Sequence, residues 1–478
     1  RYEGYTSQWS PRKGYTPPED EIRVITDIKD GMIFFDEPLI HDHDTPRADL
    51  KTSVANYSRN VSFETENAET AEIHERGHVM FMHNDDVDVR YAEFHELGRT
   101  DKSKLSLNAS EFDAIDFDSN VKGRYSFHFH RAGLDDQDNP GVSIGNAVYG
   151  SPGWGFVHHD SHAIFDNNAS YDTFGAGYVA ESGNETGEWT DNIAIFAQGR
   201  SWRDVKNGSD PGNFDNGVTG DGFFFQSRMV TSIDNVAASV NHGFAYFHRG
   251  HFGEDAQMMF DSSTSDTSEI FYGTKLIAPD DHPILSFSGN ETFASRAGLY
   301  VSKANPFQGH DVHTVMQDFT AWEVHNGAAL EYTSRYILKD FDVIGKEDKV
   351  SDDKHDAGIS LGGNTFDITI IDAEIKEFKI GYFLFKNFTT NKPDTMHDYT
   401  IINPTLSRVW NDYEHYDPTL DTILTSDEVP HLEPDLDLLR DLTYSIDKTL
   451  RVPAMKQDGL GETRFQEGET FSLNQQEV

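Results

Sequence analysis

The eight residues from Arg124 to Arg131 read RYSFHFHR and carry the densest set of groups that could do chemistry. In a β-strand alternate side chains share a face, so the two phenylalanines point to one side and His128 and His130 to the other. Two imidazoles spaced in this way can chelate a metal ion or serve as an acid–base pair. We expect the phenylalanines to fill an interior and the two histidines to lie on an outer surface.

Two later segments could complete a metal site beside these histidines. The run HHDSH starts at His158, and Glu181 follows that histidine by 23 residues. This distance matches one repeat of the pattern described below, so we expect Glu181 to stack on His158. The predicted ligands of a divalent cation, Zn²⁺ or Ca²⁺, are His128, His130, His158 and Glu181.

Neighbouring residues supply the groups that cleavage of a uronate-containing glycan requires. A β-elimination needs a cation to neutralise the substrate carboxylate, a base for the C5 proton and an acid for the leaving oxygen. A hydrolase needs paired carboxyl groups, for which Glu181 with Glu185 or Asp160 are candidates. The predicted catalytic residues are Tyr125, His128, His130, Arg131, Tyr171 and Glu185. The predicted substrate-binding residues are Arg124, His248 and Arg249.

The charge of the chain limits its partners. It has 82 acidic and 39 basic residues, a formal net charge of −43. Nucleic-acid binding is excluded on this ground, because phosphate contacts require a positive face. The excess of acidic residues is typical of proteins that stay soluble in salt or bind cations diffusely. Specific calcium sites in loops such as 135–139 are the sharper alternative. A protein of this charge that handles an acidic polymer must gather its few cations in one place.

Two absences from the sequence narrow the class further. The chain has no cysteine, which excludes a disulfide framework, a thiolate metal site and a cysteine nucleophile. It also contains no apolar run of about 18 residues, so we expect no membrane span.

Between residues 54 and 405 the sequence consists of short apolar runs separated by Asn, Asp and Gly. Two stretches share one pattern, in which a glycine starts an apolar strand and an Asn/Asp-flanked strand follows. The repeat is 22 residues from Gly155 to Gly177 and 23 from Gly358 to Gly381. This spacing, without helical periodicity, is typical of a β-solenoid, whereas a propeller or sandwich would need Asn-Gly hairpins, which are scarce. We predict an all-β, right-handed parallel β-helix.

The pattern divides the chain into three regions. Residues 1–48 are predicted to form a short N-terminal β segment, with strands at 21–26 and 32–35. Residues 49–410 form the β-helix, with the site on its outer face. Residues 411–478 form an acidic, irregular C-terminal cap or tail.

The same residues resemble a known family, the secreted and cell-surface hyaluronidases typified by cell-migration-inducing hyaluronidase and the transmembrane-protein-two hyaluronidase. The similarity begins near Ser58 and is strongest in YSFHFHRAG, from Tyr125 to Gly133. It continues through Glu181 and fades after His248.

The resemblance implies a parallel β-helix, an extracellular location and depolymerisation of hyaluronan or a similar polymer. In that family a β domain precedes the helix, and residues 21–39 look like the tail of such a domain, so we expect a truncated N-terminus. The chain lacks the family's cysteines and is far more acidic. Those departures suggest a bacterial relative and leave alginate or another uronate glycan as alternative substrates.

We therefore expect a secreted, monomeric enzyme that depolymerises an acidic polysaccharide by β-elimination or hydrolysis. The clustering of Tyr, Arg and His favours β-elimination slightly, whereas the resemblance favours hydrolysis. The alternatives are a non-catalytic glycan-binding or adhesion β-helix, and a purely structural surface repeat.

Overall fold

A computed structural model of the chain describes most of the region before residue 408. The described residues are 19–83, 86–110, 112–134, 138–200, 216–247, 260–261, 276–302, 313–345, 357–362, 365–378, 380–384, 399–407, 411–417, 422–424, 443–445 and 450–452.

Nearly all of the regular secondary structure in the described residues is β-strand. The strands before the middle of the chain are β1 (Ile25–Lys29), β2 (Met32–Phe35), β3 (Val61–Glu64), β4 (Met80–Met82), β5 (Asp88–Arg90), β6 (Ala92–His95), β7 (Phe127–Gly133), β8 (Gly141–Ile144), β9 (Ala147–Tyr149), β10 (Phe156–Asp166), β11 (Ala169–Thr173), β12 (Tyr178–Ala180), β13 (Thr186–Thr190), β14 (Ile193–Ala197), β15 (Phe223–Phe225), β16 (Val230–Ile233), β17 (Val236–Ala238) and β18 (His242–Phe247).

The later strands continue the same succession. They are β19 (Phe260–Asp261), β20 (Leu276–Ile277), β21 (Phe287–Ser288), β22 (Glu291–Phe293), β23 (Ala297–Ser302), β24 (Thr314–Trp322), β25 (Asn326–Glu331), β26 (Ser334–Ile344), β27 (Ala357–Leu361), β28 (Phe366–Ile371), β29 (Glu374–Lys376), β30 (Ile380–Leu384), β31 (Tyr399–Ile402), β32 (Thr405–Ser407), β33 (Asn411–Asp417), β34 (Thr422–Leu424), β35 (Thr443–Ser445) and β36 (Leu450–Val452). Short 3₁₀ turns lie at Ile73–Glu75, Phe112–Ala114 and Pro279–Asp281.

The strands stack in parallel on three faces of a coil, which confirms the predicted parallel β-helix. The first face runs through β4, β7, the start of β10, β12, β15, β18, β23, β25, β27, β30 and β33. The second runs through β5, β8, the end of β10, β13, β16 and β21. The third runs through β3, β6, β9, β11, β14, β17, β22, β24, β26, β28 and β31.

The predicted repeat lengths agree with the strand register. Phe156 pairs with Tyr178, 22 residues later, and Ile359 pairs with Tyr382, 23 residues later. Both steps equal the glycine spacings read from the sequence. Each of these coils therefore buries its inward side chains on the equivalent positions of the next coil.

Aromatic rings fill the interior behind the first face. Tyr178 stacks on Phe156 at 4.9 Å between ring centroids, Phe223 on Tyr178 at 4.7 Å, and Phe244 on Phe223 at 4.9 Å. All four side chains are at most 1% exposed. Such ladders follow from parallel stacking, because one strand spacing is about 4.8 Å.

An asparagine ladder marks the turn between the second and third faces. Its members lie one coil apart and are all buried: Asn146, Asn168, Asn192, Asn235 and Asn290. From Asn168 onward, each side-chain oxygen accepts the backbone N–H of the previous asparagine, as in Asn168 N to Asn192 Oδ1 at 3.0 Å and Asn192 N to Asn235 Oδ1 at 3.0 Å. The residue before each takes a positive φ, for example 54° at Asn167. The ladder satisfies turn groups that would otherwise be buried without partners.

The end regions are described only in part. In the predicted N-terminal segment, β1 and β2 form an antiparallel hairpin. Beyond residue 410, β33 pairs in parallel with β30, and most of the predicted cap lies outside the described residues. Within the described part of the chain, no helix combines the length and apolar character that crossing a membrane requires.

Candidate functional site

The outer surface of the first face brings polar side chains from three successive coils into one row. The pairing of β7 with β10 sets His159 directly beside His130. On the next coil, Glu181 directly follows β12, and its backbone N–H donates to the carbonyl of His158 at 2.9 Å. The row therefore aligns two histidines and one glutamate across the strands.

His128, two residues before His130 on the same face of β7, completes a cluster with this row. Nδ1 of His130 lies 2.8 Å from Nδ1 of His159. Oε2 of Glu181 lies 3.3 Å from His159 Nδ1 and 3.8 Å from His128 Nε2. One nitrogen of each histidine lies within 4.8 Å of the others. Ligands on tetrahedral zinc lie roughly 3.4 Å apart, so this histidine–glutamate cluster has the dimensions of a metal site.

Two acceptor atoms of the cluster are buried without a hydrogen-bond partner. Nδ1 of His128 lies 3.2 Å from the carbonyl oxygen of Gly123, so Nδ1 carries the proton and Nε2 keeps its lone pair. Neither His128 Nε2 nor Glu181 Oε2 has a hydrogen-bond partner. Two buried acceptors that face each other are unfavourable unless a cation lies between them.

Burial keeps two of the imidazoles neutral. It lowers the pKa of His130 to about 4, with the neighbouring His159 as the second cause. It also holds the pKa of His128 well below its ordinary value, again with His159 contributing. A neutral imidazole retains the lone pair that metal coordination requires.

A carboxylate and an arginine lie behind His159, at an irregularity in the sheet. The pairing of β7 with β10 shifts register after His159, and Arg131 and Asp160 take positive φ values of 52° and 46°. Oδ2 of Asp160 lies 3.4 Å from His159 Nε2 and 3.4 Å from Arg131 Nε. A carboxylate on the far ring nitrogen orients a metal-binding histidine, and bulges commonly re-aim side chains beside a site. Asp160 therefore holds His159 with Nδ1 toward the cluster.

Glu185 is a fully buried carboxyl group that braces the same turns. Its Oε1 accepts the backbone N–H groups of Asp160 and Ser182, and its Oε2 accepts that of Gly183. Burial, assisted by the charge of Asp160, raises the pKa of Glu185 to about 7. The side chain is sealed from solvent, so it positions its neighbours rather than reaching a substrate.

The predicted ligand His158 lies inside the coil and does not join the cluster. Its ring centroid lies 5.6 Å from that of the interior Phe165. Burial lowers its pKa to about 3. The strand register pairs His158 with Ala180, so the coil is 22 residues long here and Glu181 aligns with His159. The 23-residue spacing that matched His158 with Glu181 was one residue too long.

The predicted tyrosines do not line the cluster. Tyr171 lies on β11 in the third face, where its ring stacks on Tyr149 at 5.5 Å. Tyr125 is 1% exposed, with its ring 5.4 Å from that of His128 and stacked on Trp154 at 4.5 Å. Tyr125 therefore supports the buried edge of the cluster.

The predicted cationic residues lie in different places relative to the cluster. Arg131 flanks the cluster, with its side chain 57% exposed. Arg124 lies in the turn that precedes β7 and is partly buried. His248 and Arg249 lie outside the described residues, as do residues 135–137 of the loop considered for calcium.

Sequence reasoning named Asp160 only as a candidate hydrolytic carboxyl group and missed His159, although a usable signal was present. The step from Gly155 to Gly177 is 22 residues, and the same step from His159 leads to Glu181. Side chains alternate between interior and exterior along a strand. The 22-residue register therefore places His159, and not His158, on the outward face. No sequence pattern shows the bulge that turns Asp160 onto His159.

Comparison with known proteins agrees with this geometry. Residues 101–298 match the family model described as CEMIP beta-helix. This range contains all four residues of the histidine–glutamate cluster. A search of curated proteins finds no match. The family match confirms, over this part of the chain, the resemblance that the sequence motifs indicated.

Proposed function

Taking residues 101–298 as a CEMIP β-helix, we propose that the protein is an extracellular enzyme that hydrolyses a uronate-containing glycan such as hyaluronan at the histidine–glutamate cluster. One observation carries the proposal: His128 Nε2 and Glu181 Oε2 are buried, lack hydrogen-bond partners and face each other across 3.8 Å. Structural polar groups are normally satisfied, so such a pair is typical of a site that awaits a ligand.

The donor set fits a transition metal better than calcium. Three imidazoles would suit zinc and leave Glu181 beside them as a base, whereas calcium takes six to eight oxygen ligands. His128 and His159 each direct the second ring nitrogen to an oxygen, on Gly123 and Asp160, as metal-binding histidines usually do. When bound, such a metal would act as a Lewis acid and lower the pKa of a water molecule.

The protein's own residues supply orientation and charge at this place. Asp160 keeps His159 turned toward the cluster, and Glu185 fixes the backbone on both sides of it. The carboxylate of Glu181, 18% exposed, is the group available to accept a proton from water at the open side. Hydrolysis requires this arrangement of an acceptor beside the reacting centre.

Hydrolysis agrees with the geometry better than β-elimination. The preference for elimination rested on tyrosine, arginine and histidine clustering together, but Tyr171 lies on another face and Tyr125 is buried. Carboxyl groups are concentrated at the cluster, as Glu181 and Asp160. These are the groups that glycan hydrolysis uses.

The test is to incubate zinc-loaded protein with hyaluronan, alginate and polygalacturonate and to follow chain length, reducing ends and absorbance near 235 nm. We expect shorter chains and new reducing ends without new absorbance on at least one polymer. New absorbance would show an unsaturated uronate and replace hydrolysis with β-elimination. Affinity for a polymer that is never shortened would replace the enzyme with a binding module.

A further inference from the structure

Two arginines beside the cluster differ from five other arginines in the described part of the chain. Several arginines there lie within 4.0 Å of a carboxylate: Arg23, Arg47, Arg76, Arg90 and Arg131. Among the described residues, no ion pair joins Arg99 or Arg124 to a carboxylate. Acidic residues outnumber basic ones 82 to 39 in this chain, so two neighbouring arginines without such a partner are unexpected.

Backbone hydrogen bonds hold the two arginines next to each other. The N–H of Arg99 donates to the carbonyl of Arg124 at 2.9 Å, and that of Thr100 donates to the same carbonyl at 3.1 Å. The N–H of Arg124 donates to Oγ1 of Thr100 at 2.9 Å. Arg99 is exposed and Arg124 partly buried. The pair is therefore fixed at its backbone. Arg99 is open to solvent, and Nη1 of the partly buried Arg124 donates to the carbonyl of Lys122 at 3.3 Å.

The arginine pair is tied to the histidine–glutamate cluster by one turn. Gly123, directly before Arg124, offers the carbonyl that meets Nδ1 of His128. The charge of Arg124 also contributes to the low pKa of His128. Arg124 and the cluster are thus neighbours that are joined through the turn at Gly123.

A third side chain, His78, is affected by the positive charges of both arginines. His78 precedes Val79, whose N–H donates to the carbonyl of Tyr125 at 3.3 Å. Burial, then the charges of Arg99 and Arg124, lower the pKa of His78 to about 4. This histidine is therefore a neutral hydrogen-bonding group beside two permanent cations.

We propose that Arg99 and Arg124, with His78 beside them, form a subsite that binds a carboxylate of the glycan next to the bond that is cleaved. The guanidinium group is planar and matches a carboxylate with two parallel hydrogen bonds. Here the pair would also offset the repulsion between an acidic polymer and this acidic protein. This inference rests on the proposed function for its position relative to the cleaved bond, but binding of the carboxylate can be measured separately.

The first experiment compares native hyaluronan with carboxyl-reduced hyaluronan as substrates of zinc-loaded protein. The wild type should show a kcat/KM ratio that favours the native polymer by about 10- to 100-fold, the usual worth of charged hydrogen bonds. Arg99→Gln with Arg124→Gln should bring this ratio close to unity. Arg90→Gln, which removes an arginine that lies against Asp88, is the matched control and should keep the wild-type ratio. An unchanged ratio in the double variant would overturn the subsite.

The second experiment separates failure of the subsite from failure of the enzyme. Calorimetry at low salt measures binding of a hyaluronan hexasaccharide and of neutral chitohexaose. The double variant should lose at least about tenfold in affinity for the hyaluronan hexasaccharide only, and added salt should weaken the wild type more than the variant. If no polymer is cleaved but this loss is seen, the proposed function fails and the subsite stands. Equal affinities in both proteins would reject the subsite whatever the activity.

Discussion

Two stacks of polar side chains run across the coils, and they differ in whether their hydrogen bonds are complete. In the asparagine ladder, Asn192 donates to Phe165 O and Asn235 Oδ1 and accepts from Asn168. In the histidine–glutamate cluster, His128 Nε2 and Glu181 Oε2 lack hydrogen-bond partners. The same parallel stacking produces both. The complete stack stabilises the coil, and the incomplete one is available for binding and chemistry.

Removing a donor atom from the cluster should have the largest effect on activity. Loss of even the residues that orient metal ligands typically costs 10- to 100-fold, so His159→Ala and Glu181→Gln should each lower kcat/KM by more than about 100-fold. His162→Ala is the matched control, because His162 lies on the same strand and bonds to Thr186 Oγ1 at 2.8 Å. Near wild-type rates in both cluster variants would show that the cluster is not the active site.

Removing a member of the asparagine ladder should act on stability. Asn192→Ala leaves the backbone N–H and the side-chain amide of Asn168 without their acceptor, and each buried orphan costs roughly 1–3 kcal/mol. We expect about 4 kcal/mol less free energy of unfolding, measured by denaturant titration. Activity per folded molecule should be retained. If Asn192→Ala matches the wild type in stability, the contrast between the two stacks is lost.

Glu185 should make stability depend on pH. Its pKa of about 7 in the folded protein lies above the ordinary glutamate value of roughly 4.3. The contribution of Glu185 to folding stability is therefore complete below about pH 4 and is lost as pH rises to about 7, by up to about 4 kcal/mol. Unfolding of wild type and Glu185→Gln at several pH values checks this. The variant should lose that part of the slope, and identical slopes would contradict the assignment.

Adjacent histidines give the finest test of which face a side chain occupies. His158 lies in the interior and His159 in the cluster. His158→Leu should therefore change kcat/KM by less than about threefold and mainly lower the melting temperature, because it removes the buried hydrogen bond from His158 Nε2 to the carbonyl of Ser161. His159→Leu should abolish activity. The reverse pattern would mean that the strand register is wrong.

The sequence was sufficient for the fold because coil length and alternation are local signals. Glycine spacing predicted the repeats, and alternation predicted that His128 and His130 face outward. Identifying the partners from other coils required the exact coil length, and an error of one residue selected His158 in place of His159. Neither the distance of Tyr171 from the site nor the bulge at Asp160 has a local signature, because both follow from how the coil turns its corners.

The central claim is that the histidine–glutamate cluster binds a divalent transition metal, and metal stoichiometry tests it most directly. Protein stripped with chelator, reloaded with zinc and desalted should retain about one zinc ion per chain by elemental mass spectrometry. His128→Ala with His159→Ala should retain essentially none while keeping its β-sheet circular dichroism. A wild type that binds no more zinc than this folded double variant would contradict the claim.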